Sequence, residues 1–170
     1  FLVPIDGVVQ QGAQAPHSFD LLILATKAYS DIDTIALLRP YLSDHTVMLI
    51  IQNGIFIEAP LIKVITQPII RGLAFICVER TAVNAVKHMD YGPLMIGQVH
   101  GDITSMVTQC KAWLHRCNVP IKTVPCIWSS IWEKLVWNLP FNPLSVIHNG
   151  ATTRALLDDP KIQARVIRLM

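Results

Sequence analysis

Two kinds of apolar pattern alternate along the first three quarters of the chain. Residues 20–25 (Asp-Leu-Leu-Ile-Leu-Ala) and 46–51 (Thr-Val-Met-Leu-Ile-Ile) are short unbroken apolar runs. Runs of this kind suit strands covered on both faces of a parallel sheet. Between them, Ile32, Ile35, Leu38 and Leu42 recur at helical spacing and predict a helix over 30–42 with Ser30 as its N-cap. A short helix is predicted over 57–63 and a further strand over 69–78, with Gly72 inside it. Residues 1–10 alternate around Asp6-Gly7, a hairpin turn pair. Residues 83–88 and 94–98 read as hairpin partners separated by Tyr91-Gly92-Pro93. Over 102–117, Ile103, Met106, Val107, Cys110, Trp113, Leu114 and Cys117 form one helical stripe, and 119–124 reads as a short strand.

From Ile127 onward the pattern is helical apart from breaks, so a boundary is placed near Pro125, giving regions 1–125 and 126–170. Alternating strands and helices predict an α/β fold built on a parallel sheet. Ligands of such sheets sit beyond the carboxyl ends of the strands. Thr26-Lys27 and Gln52-Asn53-Gly54 occupy those ends.

Composition narrows the possibilities. The 170 residues are 52% hydrophobic and only 15% charged, with a net charge of +2; about 25% charged is usual for a soluble domain. Disorder is excluded by that apolar content. With 14 basic against 12 acidic residues and no basic cluster, nucleic acid is not an expected partner. No apolar run approaches the ~18 residues of a membrane-spanning helix. The four cysteines form no C-x-x-C pair and the six histidines are scattered, so no metal site is expected and the cysteines read as small buried hydrophobes. Unpaired cysteines without a secretory signal point to a reducing, cytoplasmic setting. The chain starts at Phe1 within strand-like sequence and ends inside a helical pattern over 161–170, which suggests a piece of a longer protein.

The stretch 132–145 carries the candidate chemistry. Lys134, Asn138 and Asn142 are spaced by four, so successive members lie only ~40° apart around a helix. Leu135, Val136, Trp137, Leu139 and Phe141 lie between them. An ammonium and two amides on an apolar helix need partners, because burying them unpaired costs a few kcal/mol each. Either the stripe faces solvent, or the amides cap neighbouring helices, or the three groups form the polar wall of a pocket for a small oxygen-rich ligand. Pro140 is expected to kink this helix, at ~3 kcal/mol in an ordinary helix interior. Glu133 reads as a surface group, and Trp128, Trp132 and Trp137 as core residues rather than cofactor-stacking ones.

Three motifs occur in order: Asp20-Leu21-Leu22-Ile23-Leu24-Ala25-Thr26-Lys27-Ala28, Ile51-Gln52-Asn53-Gly54, and Lys134-x-x-x-Asn138-x-x-x-Asn142-Pro143-Leu144-Ser145. Together with the strand around Arg71-Gly72, they make the sequence resemble the 2-dehydropantoate 2-reductase (ketopantoate reductase) family. The resemblance implies an incomplete Rossmann-type dinucleotide-binding domain followed by the start of an all-helical domain. It implies NADPH-dependent reduction of ketopantoate to pantoate, on the route to pantothenate and coenzyme A. In that scheme Lys134 is the general acid, and Asn138 and Asn142 bind substrate. Asn53 reaches both substrate and cofactor, Lys27 lies near the nicotinamide end, and Val78 touches the cofactor through its backbone. Thr152 falls near a further substrate contact.

The family's G-x-G-x-x-G turn has no counterpart in this sequence. Most of the family's helical domain, with an acidic residue, a serine and much of the dimer contact, is also beyond it. The 170 residues alone are therefore expected to be inactive, and the full-length protein to form a homodimer. The alternatives are a related reductase of another 2-oxo acid, or a non-catalytic fragment lacking the phosphate-binding turn.

Overall fold

The computed structural model describes residues 19–29, 31–99 and 105–170. The chain divides into two units, Phe1–Ile127 and Trp128–Met170. The hairpin expected over 1–10, the Ser30 cap and residues 102–104 of the expected third helix lie outside the described residues.

The first unit is built on a five-stranded sheet in the order β1-β2-β3-β4-β5. Its strands are β1 (Leu21–Leu24), β2 (Val47–Ile50), β3 (Ile69–Ala82), β4 (Ala85–Gln98) and β5 (Ile121–Thr123). Its helices are α1 (Thr34–Leu38), followed by a 3-10 turn over Arg39–Tyr41, α2 (Ala59–Ile62) and α3 (Ser105–His115). The second unit contains most of α4 (Ile127–Ile147), then α5 (Thr153–Asp158) and α6 (Pro160–Leu169).

β2 explains why the sheet has two covered faces. All four of its side chains are buried, and they alternate between two clusters. Val47 and Leu49 join Ile70, Leu94, Ile96 and the α3 residues Val107, Cys110 and Leu114. Met48 and Ile50 join Leu24, Leu38 of α1 and Leu61 of α2 on the other face. A strand with apolar partners on both sides must be apolar throughout, which is the pattern its sequence carries. β1 is less enclosed than its run suggests. It stands at one edge of the described sheet, and Ile23 is exposed.

Four expectations are corrected. The sheet is mixed rather than parallel: β1, β2 and β3 run together, but β4 is antiparallel to β3, and β5 runs with β4. Only Val83 and Asn84 separate β3 from β4, and so short a connection joins antiparallel strands only. Second, residues 83–88 and 94–98 are not hairpin partners. Residues 85–88 and 94–98 lie in the same strand, β4, which pairs along its length with β3. A shift in register opposite Ala74 and Ile76 absorbs the apparent break, with Tyr91 at φ 61° and Gly92 at φ 143°. Such bulges are where proline is tolerated within a sheet, and Pro93 takes that place.

Third, α1 is shorter than the 30–42 pattern. Asp33 is its N-cap, accepting from the backbone N–H of Ile35 and Ala36 at 3.1 and 3.0 Å. The α-helical stretch ends at Leu38: Arg39 still holds helical angles at φ −50° and ψ −41°, but Pro40 has no N–H to donate back to Ala36, and the chain tightens into the 3-10 turn. Fourth, of the four cysteines only Cys110 is buried; Cys77, Cys117 and Cys126 are exposed.

In the second unit, α4 runs unbroken through Pro140 and Pro143, so the expected kink does not divide it. Phe141 and Leu144 of α4 pack with Leu156 of α5 and Val166 of α6. The Thr152 hydroxyl caps α5 by accepting from Ala155 N–H at 3.2 Å, and Asp159 caps α6. Ser145 Oγ donates to the Ala151 carbonyl at 2.9 Å, fixing the turn after α4. Trp132 and Trp137 are not core: each is 52% exposed. No helix among the described residues is long and apolar enough to cross a membrane.

Candidate functional site

The carboxyl ends of β1 and β2 are adjacent because the two strands are parallel, with Leu24 paired to Ile50. Their pairing extends one step further, where Ile51 N–H donates to the Leu24 carbonyl at 3.0 Å. The chain then leaves the sheet in two loops. Gln52 ties them together: its buried amide donates to the Thr26 carbonyl at 2.8 Å and to Thr26 Oγ1 at 3.1 Å. Lys27 and Asn53, the neighbours of these two anchors, are exposed. A cation and an amide thus stand exposed on adjoining loops at the strand ends, with Gln52 as the connection between those loops.

Gly54 turns the second loop. Its φ of 122° is a conformation that L side chains rarely adopt, and a Cβ there would stand 2.8 Å from Ile57 Cγ2. β3 supports this turn from beneath. Gly72 leaves room for Ile51, whose Cγ2 would lie 2.6 Å from an added Cβ. Arg71, 0% exposed, sends Nη2 to the Gly54 carbonyl at 3.0 Å, while its Nε faces Glu58 Oε2 at 3.4 Å. Burial lowers the Arg71 pKa from its ordinary value, and the Glu58 charge opposes that shift.

Val78 lies on the same strand but not at the same level. It is six residues beyond Gly72, about 20 Å along an extended strand, on the exposed outer half of the β3–β4 ribbon and opposite His88. The structure thus places Lys27 and Asn53 on adjoining loops and leaves Val78 apart from them. A surface pocket lined by Ile35, Arg39, Leu42 and Gln67 sits at the opposite, amino-terminal end of the strands and includes none of these residues.

In the second unit, Lys134 and Asn138 are half-buried on α4, and Asn142 is exposed. Each step of four residues advances the helix face by ~40°, so two steps carry Asn142 ~80° away from Lys134. The buried and half-buried positions Ile127, Ile131, Lys134, Asn138 and Phe141 follow spacings of three and four. The ammonium and the first amide therefore share the more covered side of the helix with apolar neighbours, and the second amide has turned off it. Such a pair can hold an oxygen-rich group and donate hydrogen bonds to it, the ammonium also supplying a proton.

Sequence alone gives no role to Gln52, Glu58 or Arg71. The one available signal was Arg71, a lone charge in the apolar run 69–78. Its partner Glu58 comes thirteen positions earlier, at no regular spacing. Thr152, placed near a substrate contact by resemblance, uses its hydroxyl as a helix cap.

Comparison with known proteins covers both units. The family described as ketopantoate reductase PanE/ApbA matches residues 3–101, and its C-terminal part matches residues 126–170. A 2-dehydropantoate 2-reductase from a Nostoc species is 30% identical over 164 residues, covering 93% of this chain and 51% of the relative. The crystal structure of 2-dehydropantoate 2-reductase from Methylococcus capsulatus has a TM-score of 0.79 at 31% identity, covering 94% of this chain and 52% of that one. A ternary structure of D-mandelate dehydrogenase with NADH and anilino(oxo)acetate shares the fold, with a TM-score of 0.83 at 20% identity over 94% of this chain and 51% of that one. The chain spans about half the length of the curated relatives it matches.

Proposed function

Because the chain belongs to the ketopantoate reductase family, we propose that the protein carrying it reduces 2-dehydropantoate to pantoate with NADPH, as a cytoplasmic homodimer feeding pantothenate synthesis. The observation that carries this reading is the placement of Lys134 and Asn138 together on the half-buried side of α4, within the segment that the family's C-terminal part matches. Lys27 and Asn53 fit the nicotinamide end of the cofactor: both are exposed beyond the carboxyl ends of adjacent parallel strands, where such sheets take their ligands. The pyrophosphate is assigned to no residue here, since the sequence has no G-x-G-x-x-G turn. The 170 residues alone are accordingly proposed to be inactive.

When bound, NADPH supplies the hydride that reduces the C2 ketone. This chain supplies orientation and a proton. Asn138 and Asn142 donate from their amides to the carboxylate and hydroxyl end of the substrate, and Asn53 orients substrate and nicotinamide toward each other. Lys134 holds its ammonium against the ketone oxygen. As negative charge develops there, the ammonium stabilises it and passes a proton from Nζ to the oxygen. The ketone thus gains one hydride and one proton, and the neutral amine regains its proton from solvent. General acid catalysis of this kind contributes ~10²–10⁴-fold.

The test is Lys134→Ala in the full-length protein. Turnover of ketopantoate should fall by at least about two orders of magnitude, with the fold retained. Wild-type turnover by that variant removes Lys134 from the role. Rates across a small panel of 2-oxo acids assign the substrate.

A further inference from the structure

Arg71 and Glu58 form a buried ion pair that stability alone does not explain. Both are enclosed, at 0% and 1% exposure. Among the described residues, Arg71 Nε, Arg71 Nη1 and Glu58 Oε2 are buried without a hydrogen-bond partner, Nε and Oε2 meeting only as an ion pair. Removing two charges from water takes back much of what their attraction returns, and apolar residues of similar volume are often as stable in such places.

What the pair does contribute is connection. One guanidinium reaches the Gly54 carbonyl through Nη2 and the Glu58 carboxylate through Nε. These two contacts are the two ends of the turn 54–58. The Glu58 end is itself fixed, since the Glu58 carbonyl accepts from the N–H groups of Leu61 and Ile62. The Gly54 end needs fixing, because its φ of 122° belongs to a peptide that has no sheet or helix to hold it. Arginine suits the task, for its broad planar guanidinium donates to the Gly54 carbonyl from Nη2 while its Nε side faces the Glu58 carboxylate as an ion pair, whereas lysine offers a single compact charge.

We infer that Arg71 and Glu58 are positioning residues: the guanidinium staples the turn 54–58 shut from within the sheet and so fixes the loop on which Asn53 presents its amide. This rests on the reading of Asn53 as a contact to substrate and cofactor. The staple itself is a property of the loop and can be measured without turnover.

Two variants of the full-length protein test it. Arg71→Met with Glu58→Met removes the pair and refills its volume; Arg71→Lys keeps the buried charge opposed but loses the broad guanidinium. Backbone amide exchange at residues 53–56 is read beside the melting temperature, kcat and KM for ketopantoate. The double variant should melt within about 5 °C of the parent. In both variants, exchange at 53–56 should accelerate about tenfold or more while exchange in β2 stays unchanged. KM should rise about tenfold, with kcat falling less. Arg71→Lys settles the matter even if the double variant does not fold. Parental exchange at 53–56 in the folded variants overturns the staple, and faster exchange with parental kinetics overturns the positioning role. A parent protein that does not reduce ketopantoate refutes the reductase reading instead, and the exchange result still decides the staple.

Discussion

Gln52 Nε2 donates to the Thr26 carbonyl over 2.8 Å and so joins the loops that leave two parallel strands. Both Lys27 and Asn53 sit one residue away from that bond. Replacing Gln52 by Leu keeps the volume and deletes the donor, at a net cost of about 0.5–1.5 kcal/mol in stability. The larger effect is expected in binding. In the full-length protein, KM for NADPH should rise about tenfold, with kcat within about threefold of the parent, since a displaced loop weakens cofactor placement more than proton transfer. Steady-state kinetics with a parallel thermal melt separates the two effects. An unchanged KM for NADPH would show that the two loops hold their places without the tie.

The two amides of α4 are predicted to differ. Asn138 is half-buried and Asn142 exposed. Asn138→Ala should raise KM for ketopantoate by at least about tenfold. Asn142→Ala should leave stability within about 0.5 kcal/mol, as surface substitutions do, with a smaller rise in KM. Equal effects from the two variants would mean that substrate reaches both amides equally.

Cys110 provides a pH prediction. Burial on the sheet-facing side of α3 pushes its thiol pKa from the ordinary 9.0 up to about 11. The folded state therefore holds this proton where the unfolded chain has released it. The resulting stability is fully present below about pH 9 and is lost as pH rises through about 11. Comparing Cys110→Ala with the parent by urea denaturation across this range should show a shallower alkaline decline in the variant. At pH 8 a thiol reagent should label Cys77, Cys117 and Cys126 in the native protein, and Cys110 only after denaturation.

The parts of the fold legible in the sequence were those governed by local periodicity. The run 46–51 announced β2 because both of its faces are covered, and the stripe of Val107, Cys110 and Leu114 announced α3. Misreadings arose where a local signal had a non-local answer. Pro93 reads as a strand break, but a bulge against β3 takes it up. Trp132 and Trp137 read as core, but they are half-exposed. At the candidate site, the four-residue spacing of Lys134 and Asn138 was visible because a helix converts spacing directly into a shared face. The Arg71–Glu58 pair was invisible because it links a strand to the start of a helix, and only tertiary packing creates that adjacency.

β2 has a consequence for how the first unit comes apart. Val47 and Leu49 anchor one helix layer, and Met48 and Ile50 the other. A slip of one residue would exchange these pairs and present every side chain to the wrong neighbours. Neither layer can loosen without disturbing the strand it shares with the other, so the two halves of the interior are bound into a single cooperative transition.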